Sequence, residues 1–143
     1  MTRLEGKGIN WVLTGSLAFA LQGMPVEPHD IDLQTDRVGA YQIEQMLAEF
    51  SKKPVAFAAT EQICSHYGAL QIEGVDVEIM GDVQKRLADG RWEPPPALNE
   101  HRQFIQVGDS HVPVLSLAYE AESYGKMGRL ERAALLASWA ASK

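Results

Sequence analysis

A Gly-Ser pair near the start of the chain is the first feature whose residue types suggest chemistry. Gly15 and Ser16 follow the short apolar run Trp11-Val12-Leu13 and precede the helix-prone residues 17–21. A strand that turns into a helix there would direct backbone N–H groups and the positive end of the helix dipole at one point. The pattern predicts a phosphate cradle made by the Gly15 backbone and the Ser16 hydroxyl, although most Gly-Ser pairs only form turns.

Two aspartates form the second feature. Polar and apolar residues alternate over residues 29–34, so a strand there would place Asp30 and Asp32 on one face. Neighbouring carboxylates repel each other. Such a pair is tolerated when it is exposed at a strand end, or when divalent cations neutralise it. The pattern therefore predicts either a solvated acidic pair or a metal site.

A second acidic strand could complete this group. Residues 75–80 also alternate, which places Asp76 and Glu78 together on one face. If this strand lies beside the first, one of its acids becomes a third carboxylate of the same site. The alternative is an ordinary amphipathic strand whose acids face solvent. Alternation alone does not choose between Asp76 and Glu78.

Together, Gly15-Ser16, Asp30-x-Asp32 and the later acidic strand resemble the nucleotidyltransferase superfamily. That superfamily includes DNA polymerase beta, tRNA-end-adding enzymes and antibiotic-modifying enzymes. The resemblance covers about residues 10–82, and residues 114–129 are similar to the C-terminal helices of small members. It implies an α/β fold with a mixed β-sheet flanked by helices and with C-terminal helices, in a single domain spanning residues 1–143.

The resemblance also implies an activity, which is transfer of a nucleoside monophosphate from a nucleoside triphosphate to an acceptor hydroxyl with release of pyrophosphate. In this family Mg²⁺ is held by three acids, which implies metal-binding and catalytic roles for Asp30, Asp32 and a third carboxylate. The metal-site acid of similar proteins usually stands two or three residues before its strand ends, which favours Glu78 over Asp76. The longer glutamate side chain also favours Glu78, as a metal ligand or a general base.

Nucleotide binding is expected from Gly15, Ser16 and Lys126, of which Lys126 lies in the C-terminal helical segment. The acceptor is left open among a small molecule, a protein side chain and an RNA end. Small family members often carry a basic or hydroxyl residue before the aspartate pair, whereas here residues 27–29 are Glu-Pro-His. This departure supports an alternative, a catalytically silent nucleotide-binding or interaction module such as a toxin-antitoxin component.

The composition and net charge of the chain limit the kinds of partner that we expect it to bind. The net charge of −6 gives no support for broad attachment to nucleic acid or to an anionic membrane. Cys64 is the only cysteine, and no apolar run reaches the roughly 18 residues of a membrane span, so we expect a cytoplasmic protein without a membrane partner. The small size leaves little chain to enclose an acceptor, so we expect a homo-oligomer that uses apolar residues after Ser116, namely Leu117, Tyr124, Leu135, Leu136 and Trp139.

The remaining elements must support these groups. Apolar spacing predicts a helix over residues 38–50, and short strands are expected at 55–57 and 69–73. One or two helical turns are expected at 83–88, followed by irregular chain around the proline run 94–96. A hairpin is expected over 104–114, then a helix over 117–127 capped by Ser116, and a last helix reaching about residue 141.

Overall fold

The computed structural model of the protein describes residues 8–126 and 128–141. Their centre is one seven-stranded mixed sheet with strand order β3-β4-β5-β2-β1-β7-β6. The strands are β1 Trp11–Thr14, β2 Ile31–Thr35, β3 Ser51–Ala59, β4 Ile63–Ile72, β5 Val75–Lys85, β6 Arg102–Val107 and β7 Ser110–Leu115. The helices are α1 Gly15–Leu21, α2 Arg37–Met46, α3 Leu98–His101, α4 Leu117–Lys126 and α5 Leu130–Ala141, with a 3₁₀ turn at Ala48–Phe50. The predicted α/β class with a mixed sheet flanked by helices is confirmed.

The three central strands place the residues of interest in one row. β1 pairs antiparallel with β2, and Thr14 lies opposite Asp32. β2 pairs parallel with β5, and Asp32 lies opposite Glu78. Residues directly opposite each other on neighbouring strands point to the same face of a sheet. The sheet register therefore puts Thr14, Asp32 and Glu78 side by side.

Alternation divides the two faces of the sheet. Leu13, Leu33 and Ile79 form a second row, and they pack with Ala40 and Ile43 of α2 in the main core. The opposite face is covered by the C-terminal part of the chain, where α4 and α5 pack against α1 in a separate apolar cluster. Full burial of one such aliphatic side chain is worth about 1.5–3 kcal/mol. The row of Asp32 and Glu78 thus faces the side that α4 covers.

The expected helical turns at residues 83–88 are wrong, because β5 continues to Lys85 and Arg86 forms a β-bridge with Trp92. Burial alternates along β5, so the period of two extends past the predicted strand. Gly81 makes this continuation possible, since a Cβ there would come within 2.7 Å of the Asp36 carbonyl oxygen. β3 and β4 are likewise longer than the short strands expected at 55–57 and 69–73.

The C-terminal prediction is confirmed at its start. The Ser116 hydroxyl accepts a hydrogen bond from the Tyr119 N–H at 3.2 Å, so Ser116 caps α4 as expected. The predicted helix end at residue 127 lies outside the described residues. The last helix, α5, ends at Ala141, as expected.

The residues expected at a subunit interface pack largely within this chain. Leu117 and Leu136 are buried in the cluster formed by α1, α4 and α5, and Tyr124 and Trp139 pack against it. Leu135 is 50% exposed. Self-association stays a prediction. None of the helices in the described part of the chain has the length and apolarity needed to cross a membrane.

Candidate active site

Asp32 and Glu78 form the centre of the candidate site. They are register partners on β2 and β5, and their carboxyl groups are joined by a hydrogen bond. Burial raises the pKa of Asp32 from 3.8 to about 7, and the hydrogen bond to Glu78 and the charges of Glu78, Asp30 and Glu120 act in the same direction. Near neutral pH Asp32 is therefore partly protonated, and its proton can be shared with Glu78.

Asp30 lies next to this pair without joining it. The residue precedes β2 and is exposed, so it acts on Asp32 through its charge. In residues 8–126 and 128–141, no three His, Cys, Asp or Glu side chains are gathered so that they could hold a metal ion. Of the three predicted acids, the structure brings together Asp32 and Glu78 and leaves Asp30 at their edge.

Tyr67 of β4 forms a hydrogen bond with the Glu78 carboxylate. Its hydroxyl donates to Glu78 Oε1 at 2.7 Å. That hydrogen bond, with burial and the acidic charges nearby, raises the pKa of Tyr67 to about 12, so the phenol keeps its proton. Asp76 lies apart from this contact, where it is exposed and accepts a hydrogen bond from Gln71 at 3.3 Å. The sheet register thus places Glu78 at Asp32, and places Asp76 near the β4–β5 turn.

Gly15 is required by the position of Asp32. The predicted strand, turn and helix are present, and Gly15 has a φ of +73° where β1 passes into α1. A Cβ at this position would overlap Asp32 Oδ2. Ser16 is half-buried in the first turn of α1. Glycine is therefore needed here both for its backbone angle and for the close approach of a carboxylate.

Glu120 of α4 is a buried acid that the sequence analysis missed. It is 5% exposed, and its Oε2 accepts a hydrogen bond from the Thr14 hydroxyl at 2.6 Å and a longer one from the Gly15 N–H at 3.4 Å. Burial raises the pKa of Glu120, while these two hydrogen bonds oppose the rise. The sequence feature that could have indicated its burial is its place as a charged residue on the apolar face of α4, between Leu117 and Ala121.

A cavity of about 140 Å³ lies between Asp32 and α4. Lys85, the last residue of β5, lines it and is only 5% exposed. Burial lowers the pKa of Lys85. The wall of the cavity is made by residues of β1, β2, β5 and α4 together with the Gly15 turn and Ile63. These residues are Thr14, Gly15, Asp32, Gln34, Ile63, Met80, Val83, Lys85, Glu120, Ser123 and Tyr124.

Lys126, expected to bind nucleotide, does not line this cavity. Its Nζ atom lies 2.6 Å from Glu93 Oε2 and 3.3 Å from Glu122 Oε1. It lines a separate surface depression with Arg86 and Gly128. The hydrogen bond to Glu93 is the main cause of a raised pKa of Lys126.

A second hollow, of about 430 Å³, opens on the other side of the acidic pair. Glu78, Asp30 and Tyr67 line it, with Lys52 and Lys53 at its side. The acids therefore separate an inner cavity, which contains Lys85, from a wider outer hollow. Glu27 and His29, which precede Asp30, are exposed.

Comparison with known proteins identifies the family and the fold. Residues 1–135 match the aminoglycoside-2''-adenylyltransferase family. The fold is similar to a crystal structure from Thermotoga maritima described as a candidate nucleotidyltransferase, with a TM-score of 0.86, 54% identity, and coverage of 99% of this chain and 88% of that one. It also resembles the lincosamide antibiotic adenylyltransferase LnuA bound to lincomycin, with a TM-score of 0.53, 15% identity, and coverage of 90% and 87%, respectively. No curated protein matches the chain significantly.

The family match spans both β-strands that carry the acidic pair and the helix that carries Glu120. It therefore includes the whole candidate site. This chain belongs to the aminoglycoside-2''-adenylyltransferase family and is a nucleotidyltransferase.

Proposed function

We propose that this protein transfers a nucleoside monophosphate from a nucleoside triphosphate to an acceptor hydroxyl and releases pyrophosphate. The observation that supports this most is the contact between Asp32 and Glu78, two acids so close that the pKa of Asp32 rises to about 7. Two ionised acids at this separation repel each other, and a bound divalent cation would relieve the repulsion. The acids therefore suit a site that is completed by its ligands.

Nucleotidyltransferases of this kind generally use a divalent metal ion, and we propose Mg²⁺ for this one. Carboxylate oxygens are the donors that this hard cation prefers. Asp32 and Glu78 would hold it, with Asp30 adding negative charge at their edge. The ion, when bound, would neutralise phosphate charge and lower the pKa of the acceptor hydroxyl.

The side chains around the pair support distinct roles. Glu78 lines the outer hollow, where it can accept the proton of the acceptor hydroxyl as the new O–P bond forms and the bond to pyrophosphate breaks. The hydrogen bond from Tyr67 keeps the Glu78 carboxylate oriented during that transfer. Gly15 and Ser16, at the start of α1, are proposed to contact the phosphates.

The outer hollow suits a small-molecule acceptor. Its volume of about 430 Å³ falls in the range of roughly 300–1,000 Å³ that is usual for such sites. Three acids line it, and one of its two lysines, Lys52, already lies 3.7 Å from Asp76. The excess of negative charge favours a cationic acceptor. We therefore propose an aminoglycoside as the first compound class to test, in line with the family's name.

A pyrophosphate-release assay with each nucleoside triphosphate, Mg²⁺ and a panel of aminoglycosides tests the proposal. Glu78→Gln should lower kcat by at least about 100-fold, the usual scale for loss of a general base. Asp76→Asn is the matched control on the same strand face and should stay within threefold. Loss of turnover in Asp76→Asn alone would contradict the assignment, as would a wild-type protein that turns over none of the acceptors.

A silent nucleotide-binding module, such as a toxin-antitoxin component, remains the second candidate. It is favoured by the position of Asp30, which leaves only two of the three expected acids in contact. Calorimetry with nucleotide and Mg²⁺ separates the two candidates. Binding without pyrophosphate release from any acceptor in the panel, including RNA ends and proteins of a cell extract, would favour the silent module.

A homo-oligomer is also proposed, because the outer hollow is open and the exposed apolar residues Leu130 and Leu135 lie on α5. Sedimentation equilibrium at tens of micromolar tests it. A single species of monomer mass would contradict this proposal.

A further inference from the structure

Lys85 is a buried lysine that lines the inner cavity. It is 5% exposed, and no ion pair found among residues 8–126 and 128–141 joins its ammonium group to a carboxylate. The centroid of the Tyr119 ring lies 5.4 Å from Nζ. Desolvation lowers the pKa of Lys85, and the charges of Glu93 and Glu120, which act at longer range, oppose that shift.

Gln34 adds an unpartnered polar atom to the same cavity. It follows Asp32 by two residues on β2 and lines the same cavity. Its Oε1 atom is buried and has no hydrogen-bond partner among the described residues. Buried polar groups are nearly always hydrogen-bonded in folded proteins. An unpartnered amide oxygen and the side chain of a buried lysine line one cavity, which indicates a ligand that supplies polar partners.

The cavity accepts only part of a ligand. Its volume of about 140 Å³ is well below the roughly 300 Å³ at which complete small-molecule sites begin. It is nevertheless far larger than the space that one water molecule needs. Gly15 and Asp32 also line it, so a group bound there is continuous with the acidic pair. Size and position both fit a small anionic end of a larger ligand.

We propose that Lys85 binds the terminal phosphates of the nucleoside triphosphate and then the departing pyrophosphate. A lysine ammonium is a common phosphate ligand that acts as a point charge. The Gln34 amide can turn to donate an N–H to a phosphate oxygen. Lys126 is the competing candidate, and its ammonium group already pairs with Glu93 and Glu122. The identity of the ligand as a nucleotide rests on the proposed function.

Calorimetry with three probes tests the assignment, namely inorganic tripolyphosphate, ATP with Mg²⁺, and AMP. Lys85→Met removes the charge and keeps most of the side-chain volume, and Lys126→Met tests the competing lysine. Lys85→Met should raise the Kd of tripolyphosphate and of ATP at least tenfold and leave the Kd of AMP within twofold. Lys126→Met should leave all three within twofold.

Thermal unfolding supplies a second readout that does not depend on activity. Without ligand, Lys85→Met should unfold at a higher temperature than the wild type, because it no longer desolvates an ammonium group that forms no close ion pair. It should also lose the rise in Tm that tripolyphosphate gives the wild type. Lys85→Gln is used in both experiments if the methionine variant does not fold.

The outcomes separate this inference from the proposed function. If the wild type binds ATP and Lys85→Met binds it equally well, the role of Lys85 is refuted and the proposed function stands. If tripolyphosphate binding depends on Lys85 while no nucleoside triphosphate binds, Lys85 is an anion ligand and the proposed function fails. If the wild type binds none of the three probes, or if Lys126→Met is the variant that weakens binding, the inference is overturned.

Discussion

Replacing Asp32 by asparagine should stabilise the metal-free protein while it removes transfer activity. Asparagine has the same shape, and its amide can donate a hydrogen bond to Glu78 without adding charge. The pKa of Asp32 lies about three units above its ordinary value of 3.8, and each unit is worth about 1.4 kcal/mol. That gives at most about 4 kcal/mol, and partial solvent exposure reduces it to about 2 kcal/mol.

The sign of the pH dependence follows from the two states of Asp32. In the unfolded chain Asp32 loses its proton near its ordinary pKa of 3.8, whereas in the folded protein it keeps the proton up to about pH 7. The folded state therefore binds more protons between these values, and wild-type stability falls as pH rises through this window. Asparagine does not titrate. The gain from Asp32→Asn should be largest above pH 7 and should vanish near pH 4.

Urea unfolding in EDTA at pH 4, 5, 6, 7 and 8 measures this gain. Asp76→Asn is the control and should change the free energy of unfolding by less than about 0.5 kcal/mol, because Asp76 is exposed. Added Mg²⁺ should stabilise the wild type more than Asp32→Asn. A variant less stable than the wild type at pH 8, or a gain independent of pH, would refute the reasoning.

Three further substitutions test the contacts around the pair. Gly15→Ala should cost more than about 2 kcal/mol in urea unfolding, since the new methyl group meets Asp32 and the φ is positive; a cost below 1 kcal/mol would contradict the packing. Tyr67→Phe should lower kcat about tenfold and change KM little, because it removes one hydrogen bond to Glu78; unchanged kcat would show that this bond is dispensable. Glu120→Ala should lower the free energy of unfolding by about 1–3 kcal/mol, whereas Glu120→Gln should cost less because its amide oxygen still accepts; equal losses would contradict this.

The acidic strands were predictable because their signal is local. A period of two in residues 29–34 and 75–80 shows which side chains of each strand share a face. Pairing of the two strands then brings Asp32 and Glu78 together on the same face. The choice of Glu78 over Asp76 used a wrong strand end, because β5 continues past Glu78 to Lys85. The register with β2 is what places Glu78 opposite Asp32. Its role in catalysis stays a prediction. Asp30 does not join Asp32 and Glu78, because β2 begins one residue after it and Asp30 therefore lies outside the paired strand.

The rest of the site depends on contacts between distant parts of the chain. Glu120 meets Thr14 across 106 residues, so no local pattern indicated that contact. The length of β5 depends on pairing with β4, whose first residues, Ile63 and Cys64, pair with the last residues of β5. Lys85 was hidden for the same reason, because its burial follows from this extension and from the packing of α4 against the cavity.

The candidate site holds charges of opposite sign in adjoining places, and that arrangement restricts what can bind. The acidic pair of Asp32 and Glu78 favours a cation, and the ammonium group of Lys85 favours an anion. Glu93 and Glu120 act on Lys85 at longer range, and no ion pair in the described residues joins Lys85 to Asp32 or Glu78. A free anion would satisfy Lys85 but repel the acids, and a free cation would do the reverse. A complex of a divalent metal with a polyphosphate carries both charges at a short separation, so it is the ligand that we propose for this site.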